Sequence, residues 1–251
     1  MKAIILAAGM ATRLHPLTLA TPKCLLKVGD YSLLHRSISS LVKNGITDFV
    51  IVTGYLHEKI ESFVKKQYGE SIHTTFLYNE KYASTNNIYS LWLAKEEAMG
   101  KEILLLDSDL LYDERIITQM LSCKQENALA LVRHPLGEEE IKVIIDKRGN
   151  ILEINKTCNP IKAIGESLGI EKMSCSYTLA LYKELEKMIN QEHLENSFYE
   201  LAFEHLIPKG HTFTIVDVTN YFSCELDTVE DFENAKQRIP FELFQFEGVC
   251  S

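Results

Sequence analysis

Residues 3–25, AIILAAGMATRLHPLTLATPKCL, constrain this chain more than any other stretch. The apolar residues 3–6 read as a short buried strand. Ala7, Ala8 and Gly9 then turn the chain with small side chains and exposed backbone N–H groups, and with Leu6 they are the residues expected to bind the nucleotide there. Arg13 follows four residues after the glycine, and Lys23 stands beyond Pro16 and Pro22. A strand ending in a turn of free amides, with two cations held nearby by a proline-stiffened loop, suits a polyphosphate. The expected ligand is a nucleoside triphosphate. The plainer alternative is the first strand and loop of some other α/β protein. The commoner phosphate loops do not fit, because G-x-x-x-x-G-K is absent and Ala11 and Leu14 stand where G-x-G-x-x-G requires glycine.

Apolar spacing along the first half alternates between the two periods. Helical patterns at 33–42, 56–66 and 87–99 separate short apolar runs at 49–52, 74–78 and 103–106, and Asn44-Gly45 stops the first helix. This alternation predicts an α/β fold with a mixed, mainly parallel sheet covered by helices on both faces, and ligands at the carboxyl ends of its strands. A further helix is expected at 113–122. Beyond it the pattern turns β-rich, with runs at 128–133, 142–145 and 151–155, the last two joined by a turn at 146–150. Helices at 180–190 and 196–205, strands at 212–216 and 222–226 and a helix at 229–238 complete the reading. The β-rich part is expected to form a small acceptor-binding lid.

A chain of 251 residues with 46% hydrophobic content buries one sizeable core, so residues 1–239 read as one domain and 240–251 as a C-terminal tail. That tail, rich in Phe and Leu, fits either packing on the body or a homodimer contact. A net charge of −9 argues against nucleic acid or an anionic membrane as the main partner, so an anionic ligand needs a local cluster of cations. No apolar run approaches the length of a membrane span, and the expected location is the cytoplasm. Six scattered cysteines without a C-x-x-C read as reduced, small apolar residues.

Asp107-Ser108-Asp109 closes an apolar strand, so its carboxylates emerge at the strand's C-terminal edge. Such oxygen ligands suit Mg²⁺ carrying a triphosphate. Alternate strand residues face opposite ways, so only one of the two is expected to meet the metal, and helix capping is the competing role. Glu225-Leu-Asp227-Thr-Val-Glu230-Asp231 ends another strand, where Asp227 or Thr228 also fits a helix N-cap. Adjacent amides in the run Asn79 to Trp92, just before a helix, can both donate to and accept from a base edge.

The string L-A-A-G-x-A-x-R-L-x-P-L-T-x-x-x-P-K at 6–23 resembles the signature of the sugar nucleotidyltransferase superfamily, with Ala11 in place of its second glycine. If that position needs positive φ, the methyl group costs about 1 kcal/mol. The run Y-N-x-x-Y-x-x-T-N-N-I-Y-S-L at 78–91 closely resembles the cytidylyltransferases that load phosphocholine or 2-aminoethylphosphonate. The resemblance implies a Rossmann-like nucleotidyltransferase fold and a base pocket of Tyr82, Thr85, Asn86 and Ser90, with Asp107 beside the nucleotide. It favours Asp109 over Asp107 as a metal ligand and makes Asp227 the acid that completes the site, with Glu225 second. Lys156 matches the family's acceptor-side lysine, and Gly165-Glu166 and Gly169-Ile170 match a segment passing close to the acceptor.

The implied reaction is attack of an acceptor phosphate or phosphonate oxygen on the α-phosphorus of CTP with release of pyrophosphate. It needs no protein nucleophile. Arg13 is expected to neutralise the pyrophosphate and Lys23 the α-phosphate. Lys142 and Lys156, on neighbouring strands, are candidates for the acceptor's phosphoryl group, though each fits a solvated surface equally well. Glu138-Glu139-Glu140 or Glu166 would bind a primary ammonium. A quaternary one calls for an aromatic cage, for which Tyr82, Tyr89, Trp92, Tyr177, Tyr199 and Tyr221 are candidates. The phosphocholine-specific members carry a tryptophan near the Lys142 segment, and the single tryptophan here is Trp92. 2-Aminoethylphosphonate is therefore favoured, phosphocholine comes next, and a sugar 1-phosphate is the alternative.

Overall fold

A computed structural model describes residues 1–244, the side chains of residues 242 and 244 excepted. In chain order, β1 (Lys2–Ala7) leads through a long loop to β2 (Lys27–Val28), β3 (Tyr31–Ser32) and α1 (Leu33–Lys43). Then come β4 (Asp48–Thr53), α2 (His57–Tyr68), β5 (His73–Tyr78), α3 (Asn87–Leu93), α4 (Lys95–Ala98) and β6 (Ile103–Asp107). β7 (Leu110–Tyr112), α5 (Arg115–Ser122), β8 (Ala128–Val132), β9 (Lys142–Ile145), β10 (Ile151–Asn155) and β11 (Gly165–Met173) follow. The chain closes with α6 (Cys175–Asn190), α7 (Glu200–Leu206), β12 (Thr214–Asp217), β13 (Ser223–Glu225), α8 (Val229–Arg238) and α9 (Phe241–Phe244).

Nine strands form one sheet, ordered β10-β9-β11-β6-β1-β4-β5, with β8 paired to β11 and β12 to β8. The pairs β6-β1, β1-β4 and β4-β5 are parallel, whereas β11 runs antiparallel to β6, β8 and β9. Strands β1 and β6 are apolar on both faces because helices cover both sides, and Ile4, Ile5, Leu104 and Leu105 are all fully buried. One face packs on α3 and α6, and the other on α1, α2 and α5. Both neighbours of β1 come from later in the chain, one on each side, and this reversal of direction opens a crevice at the carboxyl ends of β1 and β6.

The expected Rossmann-like sheet is therefore present, and the β-rich second part is continuous with it. Strand β11 was not foreseen. It joins β9 and β10 to β6, so these strands extend the central sheet across the crevice. The helix expected over 87–99 is broken at Ala94 into α3 and α4. α6 starts earlier than expected, at Cys175, where the Ser174 side chain accepts the Tyr177 N–H, and α7 starts later, at Glu200. In the tail, Leu243 is buried against the body beside Leu33 and Phe232, and its carbonyl accepts from Arg36 Nη1 at 2.5 Å. The rest of the tail, 245–251, lies outside the described residues, as does Cys250. The other five cysteines are free thiols.

Candidate active site

A cavity of about 1040 Å³ lies at the carboxyl ends of β1 and β6, roofed by β9 to β11 and the segment after β13. Leu6, Ala7, Ala8 and Gly9 form one wall. A Cβ built on Gly9 meets nothing within 4 Å, so its missing side chain leaves open space at the loop. Among the described residues the N–H groups of Gly9, Met10 and Ala11 have no backbone acceptor. The left-handed residue of this loop is Ala11, at φ 48° and ψ 53°. The position does demand the conformation that glycine adopts without strain.

Arg13 and Lys23 both reach this loop's mouth. Lys23 Nζ lies 2.9 Å from Asp109 Oδ2 and 2.6 Å from Asp227 Oδ1, and Arg13 Nη2 is 2.6 Å from Asp227 Oδ2. Burial works against the charge on Lys23, but Asp109 and then Asp227 outweigh it and hold its pKa above the ordinary value. The carboxyl of Asp227 is correspondingly held down: burial opposes its charge, while Lys23 and then Arg13 favour it.

Asp109, Glu225 and Asp227 offer carboxylate oxygens all within 4.8 Å of one another, although they come from the turn after β6, from β13 and from the turn after β13. Antiparallel pairing of β13 with β7 brings the distant segment in, with Glu225 opposite Leu110. Helix α8 is capped by Thr228, whose side chain accepts the Asp231 N–H, while Asp231 accepts from the Thr228 N–H. The capping partner is thus Asp231, and the cap leaves the Asp227 carboxylate facing the cavity. Asp109 Oδ1 is buried without a partner among the described residues. Three hard oxygen donors, one of them orphaned, fit a divalent cation of the Mg²⁺ type. Burial, then Asp109 and Asp227, push Glu225 up to about 8. Because Glu225 is open to water at the mouth, the two like charges matter more there than desolvation.

Asp107 turns towards the neighbouring strand. Its Oδ2 accepts from Tyr199 at 3.0 Å and sits where a Cβ on Gly169 would fall, 2.6 Å away. Burial, and then Asp109, raise its pKa well above the carboxylate range. Tyr82, Thr85, Asn86 and Ser90 line the opposite end of the cavity, joined by the buried Asn79. Asn86 also caps α3, its Oδ1 accepting the Asn87 N–H at 2.8 Å, while Asn87 Oδ1 accepts the Tyr199 N–H at 3.0 Å. The capping amide is therefore Asn86, and its NH₂ remains for a ligand.

Two acceptor candidates are corrected. Lys142 is 2% exposed, and its Nζ donates to the carbonyls of Glu138, Glu140 and Lys156, the last at 2.6 Å. Its ammonium is spent in holding two backbone segments together, away from the cavity lining. Tyr177 is fully buried in the core against Phe213 and Phe203. Its place on the inner face of α6, packed on the sheet, excludes contact with an acceptor. Lys156 and Glu166 do line the cavity. Lys156 Nζ lies 3.3 Å from Glu139 Oε2 and 4.5 Å from the Phe198 ring centroid, and Glu166 bonds His134 at 2.6 Å. Of the aromatic candidates only Tyr82 and Tyr221 reach the lining, and Trp92 instead donates to Glu186.

Glu200 was missed. It opens α7, lines the cavity at 4% exposure, and its Oε2 has no partner among the described residues. Burial pushes it up to about 7. No local pattern marks it, since a glutamate in a helix's first turn usually serves the helix dipole.

Residues 2–138 match the family model described as nucleotidyl transferase. The chain belongs to the nucleotidyl transferase family. This nucleotidyl transferase is 26% identical over 255 residues to the CTP:phosphoglutamine cytidylyltransferase of Campylobacter jejuni, covering 93% of this chain and 98% of that one. It is 32% identical over 117 residues to the 2-aminoethylphosphonate cytidylyltransferase of Lancefieldella rimae, covering 47% and 46%. The solved CTP:phosphocholine cytidylyltransferase of Streptococcus pneumoniae superposes with a TM-score of 0.77 at 25% identity, over 94% of this chain and 97% of that one. Among the described residues no helix is long and apolar enough to cross a membrane.

Proposed function

We propose that this enzyme transfers CMP from CTP to a small phosphonate or phosphate that carries a primary ammonium, 2-aminoethylphosphonate being the favoured acceptor. The observation that carries the reading is the meeting of Arg13, Lys23, Asp109 and Asp227 at the amide-rich turn after β1. Relatives named for CTP, phosphocholine and 2-aminoethylphosphonate support the choice of nucleotide.

An acceptor oxygen attacks the α-phosphorus in line. The new P–O bond forms as the bond to the β-phosphate bridging oxygen breaks, and pyrophosphate leaves with that electron pair. Lys23, freed from its two carboxylates, neutralises the α-phosphate, and Arg13 neutralises the leaving pyrophosphate. Asp109, Asp227 and Glu225 would hold Mg²⁺, which when bound would supply charge neutralisation on the phosphates. Lys156 faces the acceptor's phosphoryl group.

The orphaned Glu200 oxygen distinguishes the acceptors. A primary ammonium can donate a hydrogen bond to it, whereas a quaternary ammonium has no N–H to give. The ring of Phe198, one of the aromatic side chains lining the cavity, already carries the Lys156 ammonium 4.5 Å from its centroid. A pyrophosphate-release screen of four nucleotides against 2-aminoethylphosphonate, phosphocholine, phosphoethanolamine and sugar phosphates tests this reading. Highest turnover is expected with CTP and 2-aminoethylphosphonate, and turnover confined to sugar phosphates would overturn the acceptor class.

A further inference from the structure

The run after β5 contains a buried amide that touches two side chains of the base end yet stands behind them. Asn79 is 1% exposed, and its backbone N–H donates to Thr53 O at 2.8 Å, fixing it at the end of the sheet. The direction of its side chain follows from the main chain. Oδ1 accepts the Lys81 N–H at 2.9 Å, and a backbone N–H can only donate. Nδ2 therefore faces the other way and gives its two protons to Thr85 Oγ1 at 3.2 Å and Ser90 Oγ at 3.1 Å. Thr85 passes its own proton to Lys81 O at 2.9 Å. Ser90 accepts from Asn79 and, among the described residues, has no acceptor for its own proton, although it is only 3% exposed on the cavity wall.

We propose that Asn79 is a positioning residue that makes the Ser90 hydroxyl a fixed hydrogen-bond donor towards the base, and thereby selects cytosine over uracil. The inference rests on the CTP reading above and deepens it. Cytosine offers an unprotonated ring nitrogen, N3, beside its O2 carbonyl, and uracil carries N–H at the same place. A hydroxyl whose proton has no partner except the ligand matches the first. Accepting uracil's N–H instead would leave that proton buried and unmatched, the kind of mispairing that discriminates substrates strongly. Direct contact with the base is not required of Asn79. Its two N–H groups set the polarity of the hydroxyls that make it.

Asn79→Asp keeps the size and the acceptor for Lys81 N–H but loses both donors. The Ser90 and Thr85 hydroxyls then donate to the carboxylate, and Ser90 turns a lone pair to the base. The ratio of kcat/KM for CTP to that for UTP is expected to fall by about tenfold or more, through KM for CTP rather than kcat. Ser90→Ala, which removes the donor, is expected to lower the same ratio. A merely structural role for Asn79 would depress both nucleotides alike, so an unchanged ratio in a folded Asn79→Asp protein overturns the proposal. If that variant shows no cooperative melting transition, Ser90→Ala decides, and an unchanged ratio there overturns it equally. Wild-type enzyme without turnover of CTP refutes the nucleotide reading itself, and the inference with it. A wild type that prefers CTP, with variants that keep the preference, refutes the role of Asn79 alone.

Discussion

Lys23 is the residue on which the proposed chemistry turns. It is the cation shared by two carboxylates 118 positions apart, Asp109 and Asp227, and in the proposed reaction it would neutralise the α-phosphate. Lys23→Ala is expected to lower kcat/KM at least ~100-fold, about 2.7 kcal/mol of transition-state stabilisation, in a pyrophosphate-release assay. A variant with near wild-type kinetics would remove Lys23 from the reaction. Ala11 carries an opposite kind of prediction. Its φ of 48° places a methyl group where glycine is unstrained. Ala11→Gly should therefore raise the unfolding free energy by about 1 kcal/mol, measured by denaturant titration. A loss of stability would show that the loop draws on the stiffness of alanine. The signature string located this loop without the structure, but whether position 11 was strained depended on a backbone angle that no string records.

At the scale of elements, the cavity depends on a strand that sequence patterns did not announce and on a helix cap. Strand β11, GESLGIEKM, has no clean period of two because it holds two glycines and three charged residues. It is nevertheless central, with Glu171 and Lys172 buried and β6, β8 and β9 alongside. Those partners supply a context that local propensity lacks. Gly169 sits at φ 72°, where an added Cβ would lie 2.6 Å from Asp107 Oδ2. Gly169→Ala should cost about 1–3 kcal/mol of stability and displace Asp107, lowering turnover as well. Unchanged melting and turnover would mean that β6 and β11 separate more easily than their register suggests. The cap of α8 is the second element-scale device. Because Thr228 and Asp231 satisfy the helix's first N–H groups, Asp227 is left for the cavity. Thr228→Ala should lose about 1 kcal/mol and loosen the placement of Asp227, so that the apparent affinity for Mg²⁺ falls alongside the melting temperature. An unaltered Mg²⁺ dependence would separate the cap from the metal site.

Across the whole molecule, the fold holds acids that it would be more stable without. Glu200 ordinarily titrates near 4.5, and burial raises it to about 7. Between those values the native state binds more protons than the unfolded chain, so stability falls as pH rises through this window. Glu200→Gln should therefore stabilise the ligand-free enzyme above about pH 7, with the gain vanishing below pH 4.5, while raising KM for an ammonium acceptor. A gain independent of pH would assign the effect to packing rather than charge. From the sequence alone came the alternating strands and helices, the amide-rich turn after β1, and the acids and cations worth watching. These rest on local rules: hydrophobic period, turn chemistry and residues clustered within a few positions. Lys142 and Tyr177 were misplaced because spacing gives the strand or helix on which a side chain stands but not the depth at which it ends. Only the folded chain brought Asp227 within reach of Lys23, 204 positions away, and left Glu200 without a partner. Meetings of that kind are set by how the sheet closes on itself, and its closure belongs to the packing of all strands together.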